Sequence, residues 1–288
     1  MSGNDGERFP ALTGGSTSIP EVEESGLPLQ ATIAKQLRAG RMKIEVHLSR
    51  EAAGQAAARA AAAIVEPAAA REEIAVIFAT GASQFATLAA LTAMQNLPWE
   101  RVTAFHMDEY VGLPADHPGS FRQYLRERLT GKVRMRAFRE INGNTSNPER
   151  IAREYGEMLR AANPQLCLLG IGENGHLAFN DPPVADFNDP VDAKVVQLDA
   201  QCRQQQLAEG WFSTIDDVPE AAISLTIPTL MRVPKLIASV PGPRKAAIVR
   251  RTIEEPVSTA CPATILRTHP DVTVFLDLDS ASLIRGMS

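Results

Sequence analysis

Unbroken apolar runs alternate along this chain with longer amphipathic or alanine-rich stretches, an alternation that predicts strands and helices in turn. The runs Ile74–Ala79 and Leu166–Ile171 lack a polar residue at every second position, as strands covered on both faces require. Further strands are predicted near 43–47, 101–106, 137–141, 193–198, 222–226, 235–240 and 272–276. Helices are predicted near 28–40, 49–65, 84–95, 119–130, 147–162, 200–210 and 243–253. Within the second of these, Ala52–Ala63 is rich in the best helix-forming residue and suits close packing on a sheet. Strands separated by helices imply right-handed crossovers, so the predicted fold is α/β, a three-layer α/β/α sandwich around a doubly wound, mostly parallel sheet. Residues 1–27, rich in Gly, Ser, Glu and Pro, read as a flexible N-terminal tail, and 28–288 as a single domain without repeats or linkers.

Composition narrows the possible roles. With 288 residues and 44% hydrophobic positions the chain can build a globular core. A formal net charge of −5 with interspersed signs supplies no basic stripe, which argues against a nucleic-acid partner held through its phosphates. A small anion can still be held by a local cluster, since charges act over a screening length of roughly 8–10 Å. Cys167, Cys202 and Cys261 are odd in number and lack CxxC spacing, so they read as reduced thiols, with the cytoplasm as the expected compartment. Met1–Arg8 lacks the apolar core of a signal peptide, and no stretch approaches the ~20 apolar residues of a membrane span, so no membrane partner is expected.

Three strand ends carry the candidate chemistry. In Leu168–Pro182 (LLGIGENGHLAFNDP) an apolar strand empties into glycines and a histidine bracketed by polar groups. Gly170, Gly172 and Gly175 let the backbone turn sharply and approach a ligand closely. His176 then stands at the mouth of the sheet, beyond the carboxyl end of a strand, where open α/β sheets bind ligands. Val102–Leu113 (VTAFHMDEYVGL) carries two adjacent carboxylates, Asp108 and Glu109, groups suited to proton transfer. If the pleat persists through Met107 they point to opposite faces, and only one enters a given pocket. Ile74–Gln84 (IAVIFATGASQ) runs into a small-residue turn before an Ala/Leu-rich helix, whose free N–H groups favour an anion. A metal held by His106, Asp108 and His176 is the local alternative; it needs extended geometry through Met107, and no other ligand-spaced cluster supports it.

Taken in order, these segments resemble the glucosamine-6-phosphate deaminase/isomerase family over roughly residues 28–280. The resemblance implies a cofactor-free, metal-free catalytic domain that takes a small-molecule amino-sugar phosphate. It implies Asp108 as the base moving a proton between C2 and C1 of an opened sugar, with Glu109 the second member of that motif. His176, oriented by Asn174 and Asp181, matches the ring-opening group, and the family commonly has Asp and Glu at those two supporting positions. An amide can still orient a histidine, whereas Asp181 has one methylene less reach. Thr80, Gly81, Ala82, Ser83 and Lys245 match the phosphate site, and Glu109 and Gly175 are grouped with the substrate-binding residues. Where the family commonly carries an arginine before a Phe-Phe pair, this chain has Gly210-Trp211-Phe212, and Arg203 is the expected substitute. The expected activity is conversion of glucosamine 6-phosphate and water to fructose 6-phosphate and ammonia. Its rivals are a 6-phosphogluconolactonase-like lactonase, whose strand-end motif typically differs from Met-Asp-Glu-Tyr, and a sugar-phosphate sensor without catalysis. Family members differ in assembly, so a homo-oligomer is compatible with the resemblance, and one hydroxyl separates glucosamine from galactosamine substrates.

Overall fold

The apolar runs fold as the central strands of an open sheet. A computed structural model describes residues 33–286, so the tail expected at 1–27 lies outside the described residues. In chain order the main elements are β1 (Ile33–Ala39), β2 (Met42–His47), α1 (Arg50–Arg71), β3 (Ile74–Phe78), α2 (Phe85–Thr92), β4 (Val102–His106), β5 (Asp108–Tyr110) and α3 (Phe121–Leu125). They continue as β6 (Ala137–Arg139), α4 (Pro148–Ala162), β7 (Leu166–Leu169), β8 (Ala193–Gln197), α5 (Ala200–Ala208) and β9 (Ala221–Leu225). The last are α6 (Ile227–Met231), β10 (Lys235–Ser239), α7 (Ala246–Glu254), β11 (Val272–Asp277) and α8 (Leu278–Ala281). Among the described residues eight strands form the main sheet in the order β1-β2-β11-β10-β7-β3-β4-β6, and of these pairs only β1–β2 is antiparallel. Every residue of β3 and β7 is buried, as strands covered by helices on both faces must be. The alanines of α1 bring it close to α2: a Cβ on Gly54 would lie 2.4 Å from that of Ala86.

Two expectations are corrected. The helix expected at 28–40 is, over its described part, the edge strand β1, whose burial alternates and whose partner is β2. The two-residue Gly40–Arg41 turn closes a hairpin, and with its period of two the segment belongs to a half-covered edge rather than a helix. The strands expected at 193–198 and 222–226 do form, yet as β8 and β9 they leave the main sheet and build a second, antiparallel one in the order β5-β9-β8. The chain enters that sheet at Met107, directly after β4, where the Leu225 N–H donates to the Met107 carbonyl at 2.8 Å. Tyr110, Phe121, Phe179 and Phe212 pack together and cement the second layer, with ring centroids 5.0–5.7 Å apart. The helix expected at 49–65 also runs on through Pro67 to Arg71, with Val65 and Ala69 buried beneath it.

Candidate active site

The carboxyl ends of four adjacent strands, β10, β7, β3 and β4, open on one cavity of about 360 Å³. That is ample for a small ligand, since such pockets span roughly 300–1,000 Å³. The break at Met107 decides which acid enters it. Asp108 lines the cavity, is only 6% exposed, and leaves Oδ1 without a hydrogen-bond partner. Burial raises its pKa well above the ordinary carboxylate value, and the neighbouring charge of Glu109 adds to the effect. Opposite it in register stands Ser224 of β9.

Glu109 points the other way and is corrected as a substrate-binding residue. Its carboxylate, wholly buried, accepts from the Arg122 guanidinium at 2.9 Å, the Ser120 hydroxyl at 2.8 Å and the Phe121 and Arg122 N–H groups at 3.2 and 3.0 Å. It therefore caps α3, whose own first residues supply no side-chain cap. His106 is likewise structural: Nε2 accepts the Ile141 N–H at 2.8 Å, and burial, assisted by Arg122, pushes its pKa down to about 3.

The His176 loop folds back on itself and is tied to β9. Its turn places the Gly172 N–H on the His176 carbonyl at 3.0 Å, and a Cβ on Gly172 would lie 2.3 Å from the imidazole. Only a glycine fits there. His176 Nδ1 sits 2.8 Å from Asp181 Oδ1, which leaves Nε2 for the cavity that the residue lines. Asn174 bridges the pair: its Oδ1 accepts the His176 N–H at 3.0 Å and its Nδ2 donates to Asp181 Oδ1 at 2.7 Å. The shorter acid thus keeps its reach, and the amide does what a second carboxylate facing Asp181 would not. Burial by itself would raise Asp181, but the bonds from His176 and Asn174 outweigh it and hold the carboxyl below its ordinary range. Phe179 N–H donates to Ser224 Oγ at 3.0 Å and Asn180 Nδ2 to the Leu225 carbonyl at 2.8 Å, so one strand positions both Asp108 and the histidine loop. His176, Asp181 and Cys202 bring three donor atoms within 4.8 Å of one another, the one such metal-ligand grouping among the described residues. Asp181 Oδ1 already accepts two hydrogen bonds there, so the trio as it stands is an anchor for the imidazole.

At the other end lie Thr80, Gly81, Ala82, Ser83 and Lys245. The buried amide of Gln84 donates to Ser83 Oγ at 3.0 Å and to the Leu169 carbonyl at 3.2 Å, which fixes the turn against β7. Lys245 follows the turn after β10, and burial lowers its pKa while Glu209 and Glu173 oppose that shift. Arg203 is corrected as an anion ligand: its Nη2 donates to the Ile215 and Val218 carbonyls at 2.7 and 3.0 Å, and it does not line the cavity. Gly175 also lies behind the wall, packed on Cys261, where its Cβ would come within 2.9 Å of the sulfur. Asn174 and Asp181 support the wall without lining it.

Sequence reasoning missed Arg50, Glu173, Gln205, Gln206, Glu209 and Arg244, which also line the cavity. Arg50 and Arg244 follow strand ends, so the rule that found Lys245 extends to them. Gln205, 8% exposed, lies on α5 and looks in the sequence like one residue of a solvated face. Its Oε1 accepts the Glu173 N–H at 3.1 Å and its Nε2 donates to Glu209 at 2.9 Å, while Arg244 pairs with the Glu173 carboxylate at 2.7 Å.

Strand ends that supply a buried acid, an anchored imidazole and an anion cradle define an α/β enzyme site for a small anionic substrate. Residues 48–275 match the model of the glucosamine-6-phosphate isomerases/6-phosphogluconolactonase family, and the chain belongs to that family. It is 39% identical over 185 residues to the glucosamine-6-phosphate deaminase of Exiguobacterium sibiricum, covering 64% of this chain and 71% of that one. To the glucosamine-6-phosphate deaminase of Listeria monocytogenes it is 37% identical over 201 residues, 69% of this chain and 82% of the relative. Among solved structures, a monomeric glucosamine-6-phosphate deaminase superposes with a TM-score of 0.76 at 31% identity, over 83% of this chain and 99% of the other. The 6-phosphogluconolactonase of Trypanosoma brucei reaches a TM-score of 0.70 at 20% identity over 87% and 100%, a likeness of fold. No helix among the described residues is long and apolar enough to cross a membrane.

Proposed function

We propose that this chain is a glucosamine-6-phosphate deaminase, an enzyme that converts glucosamine 6-phosphate and water to fructose 6-phosphate and ammonia. The supporting observation is that Asp108, His176 and Lys245 open on one cavity, with the Thr80–Ser83 turn beside them, in a chain whose relatives carry that name. In this reading Lys245 and the turn hold the phosphate. His176 Nε2, the nitrogen that Asp181 leaves over, exchanges a proton with the ring oxygen and opens the sugar.

Asp108 then lifts the proton from C2 and returns it to C1. The C2 proton leaves as O1 takes one up, which gives an enolamine; reprotonation at C1 makes an iminium at C2. Water adds to that carbon, the nitrogen departs as ammonia, and the ketose remains. A carboxylate can serve as base and then as acid, and burial, which raises its pKa, makes it the stronger base. Such proton transfer is worth about 10²–10⁴ in rate.

Incubating the purified chain with glucosamine 6-phosphate and following ammonia and fructose 6-phosphate tests the proposal, with both expected in equal amounts. Opening of 6-phosphogluconolactone without ammonia release would identify a lactonase, and binding without turnover a sensor. Galactosamine 6-phosphate in the same assay reads the preference at C4.

A further inference from the structure

The anion end of the cavity holds a further cation outside the set that the sequence singled out, Arg50. Arg50 opens α1 immediately after its Ser49 cap, and its side chain crosses to the turn that follows β10. There a Cβ built on Gly242 would lie 2.8 Å from Arg50 Nη2, so the glycine leaves the space the guanidinium uses. Gly242 has φ +96°, and both carboxylate oxygens of Asp277 accept its N–H, at 3.0 and 2.9 Å. The guanidinium therefore rests against a fixed turn, one residue before the segment Pro243–Lys245.

Charge at this end needs such a group. A phosphate monoester carries about −1.5 to −2 at neutral pH. Lys245 supplies a single positive charge, and burial lowers its pKa. Arg244 is already paired with Glu173, Arg203 is turned to backbone carbonyls, and Glu209 adds a negative charge to the same wall. Among the described residues Arg50 forms no ion pair with a carboxylate. Its place is not explained by helix electrostatics, because a cation in the first turn opposes the helix dipole.

We propose that Arg50 is a phosphate ligand of this site, meeting the substrate phosphate together with Lys245 and the Thr80–Ser83 turn; this rests on the sugar-phosphate reading above. A guanidinium grips phosphate through two parallel N–H bonds, which an ammonium cannot copy. Losing a bond to a charged group is worth tenfold or more in affinity, about the ratio expected here.

The experiment compares wild type, Arg50→Ala and Arg50→Lys by calorimetric titration with inorganic phosphate, and by kcat and KM on glucosamine 6-phosphate. Arg50 is exposed in the first turn of its helix, so the variants are expected to fold, which circular dichroism checks. The alanine variant is expected to weaken phosphate binding and to raise KM by about tenfold or more each, with kcat within about twofold. The lysine variant is expected to fall between. Unchanged phosphate affinity in Arg50→Ala overturns the proposal, as does a wild type that binds no phosphate. Phosphate binding that depends on Arg50 in a protein releasing no ammonia would leave this assignment standing and reject the deaminase reading.

Discussion

Asp108 is buried in the wall of the cavity, and that placement carries a stability penalty of known sign. Because its pKa is raised in the fold, the protonated form favours the native state; that stabilisation is complete below the unfolded value of about 3.9 and is lost as pH rises through the folded one. Asp108→Asn is therefore expected to lower turnover by about 10² or more and to raise the melting temperature, by a margin that widens from pH 4 to pH 8. Thermal scans across that range, paired with ammonia assays, check both halves. Gly172→Ala tests the loop differently: φ is unremarkable there, but the new Cβ would strike the imidazole, so kcat is expected to fall about 10²-fold with the far-ultraviolet spectrum unchanged. Much of this was legible in the sequence, because a glycine, an acid or an imidazole after an apolar run is unusual enough to stand out. The true place of Glu109 was not, since which of two adjacent acids caps a helix depends on Ser120 and Arg122, eleven and thirteen residues away.

Helix α5 shows what a single element contributes to the site. Asp199 at its start caps the helix, Cys202 lies by Asp181, and Gln205 accepts the N–H of Glu173, so one face of the helix backs the whole histidine loop. Gln205→Leu leaves that N–H without a partner and removes one of two side-chain bonds to Glu209, the other coming from Trp211; kcat is expected to drop about tenfold with a smaller change in KM, as steady-state kinetics would show. If KM alone moved, Gln205 would be a substrate contact and not a support for the loop. Element types were read well where burial is two-sided, as in β3 and β7, because an unbroken apolar run allows few alternatives. The sequence misled at β1, an edge strand with a one-sided pattern and a two-residue turn, and at β8 and β9, whose membership of a second sheet depends on long-range pairing.

At the scale of the molecule, four neighbouring parallel strands end on one rim, and the antiparallel β5-β9-β8 layer stands against it. The parallel sheet supplies the Thr80–Ser83 turn and the bases of the loops, while β9 ties in Asp108 through its register and the histidine loop through Ser224 and Leu225. The α/β sandwich and its parallel centre followed from the order of elements; the division of labour between two sheets did not, because no residue pattern announces that a strand will change partners midway.

That change of partners at Met107 makes the two sheets share one stretch of backbone. Asp108 follows β4 of the parallel sheet and pairs with β9 of the antiparallel one, so both layers fix where its carboxyl meets the cavity, and a substitution that loosened either layer would be felt there.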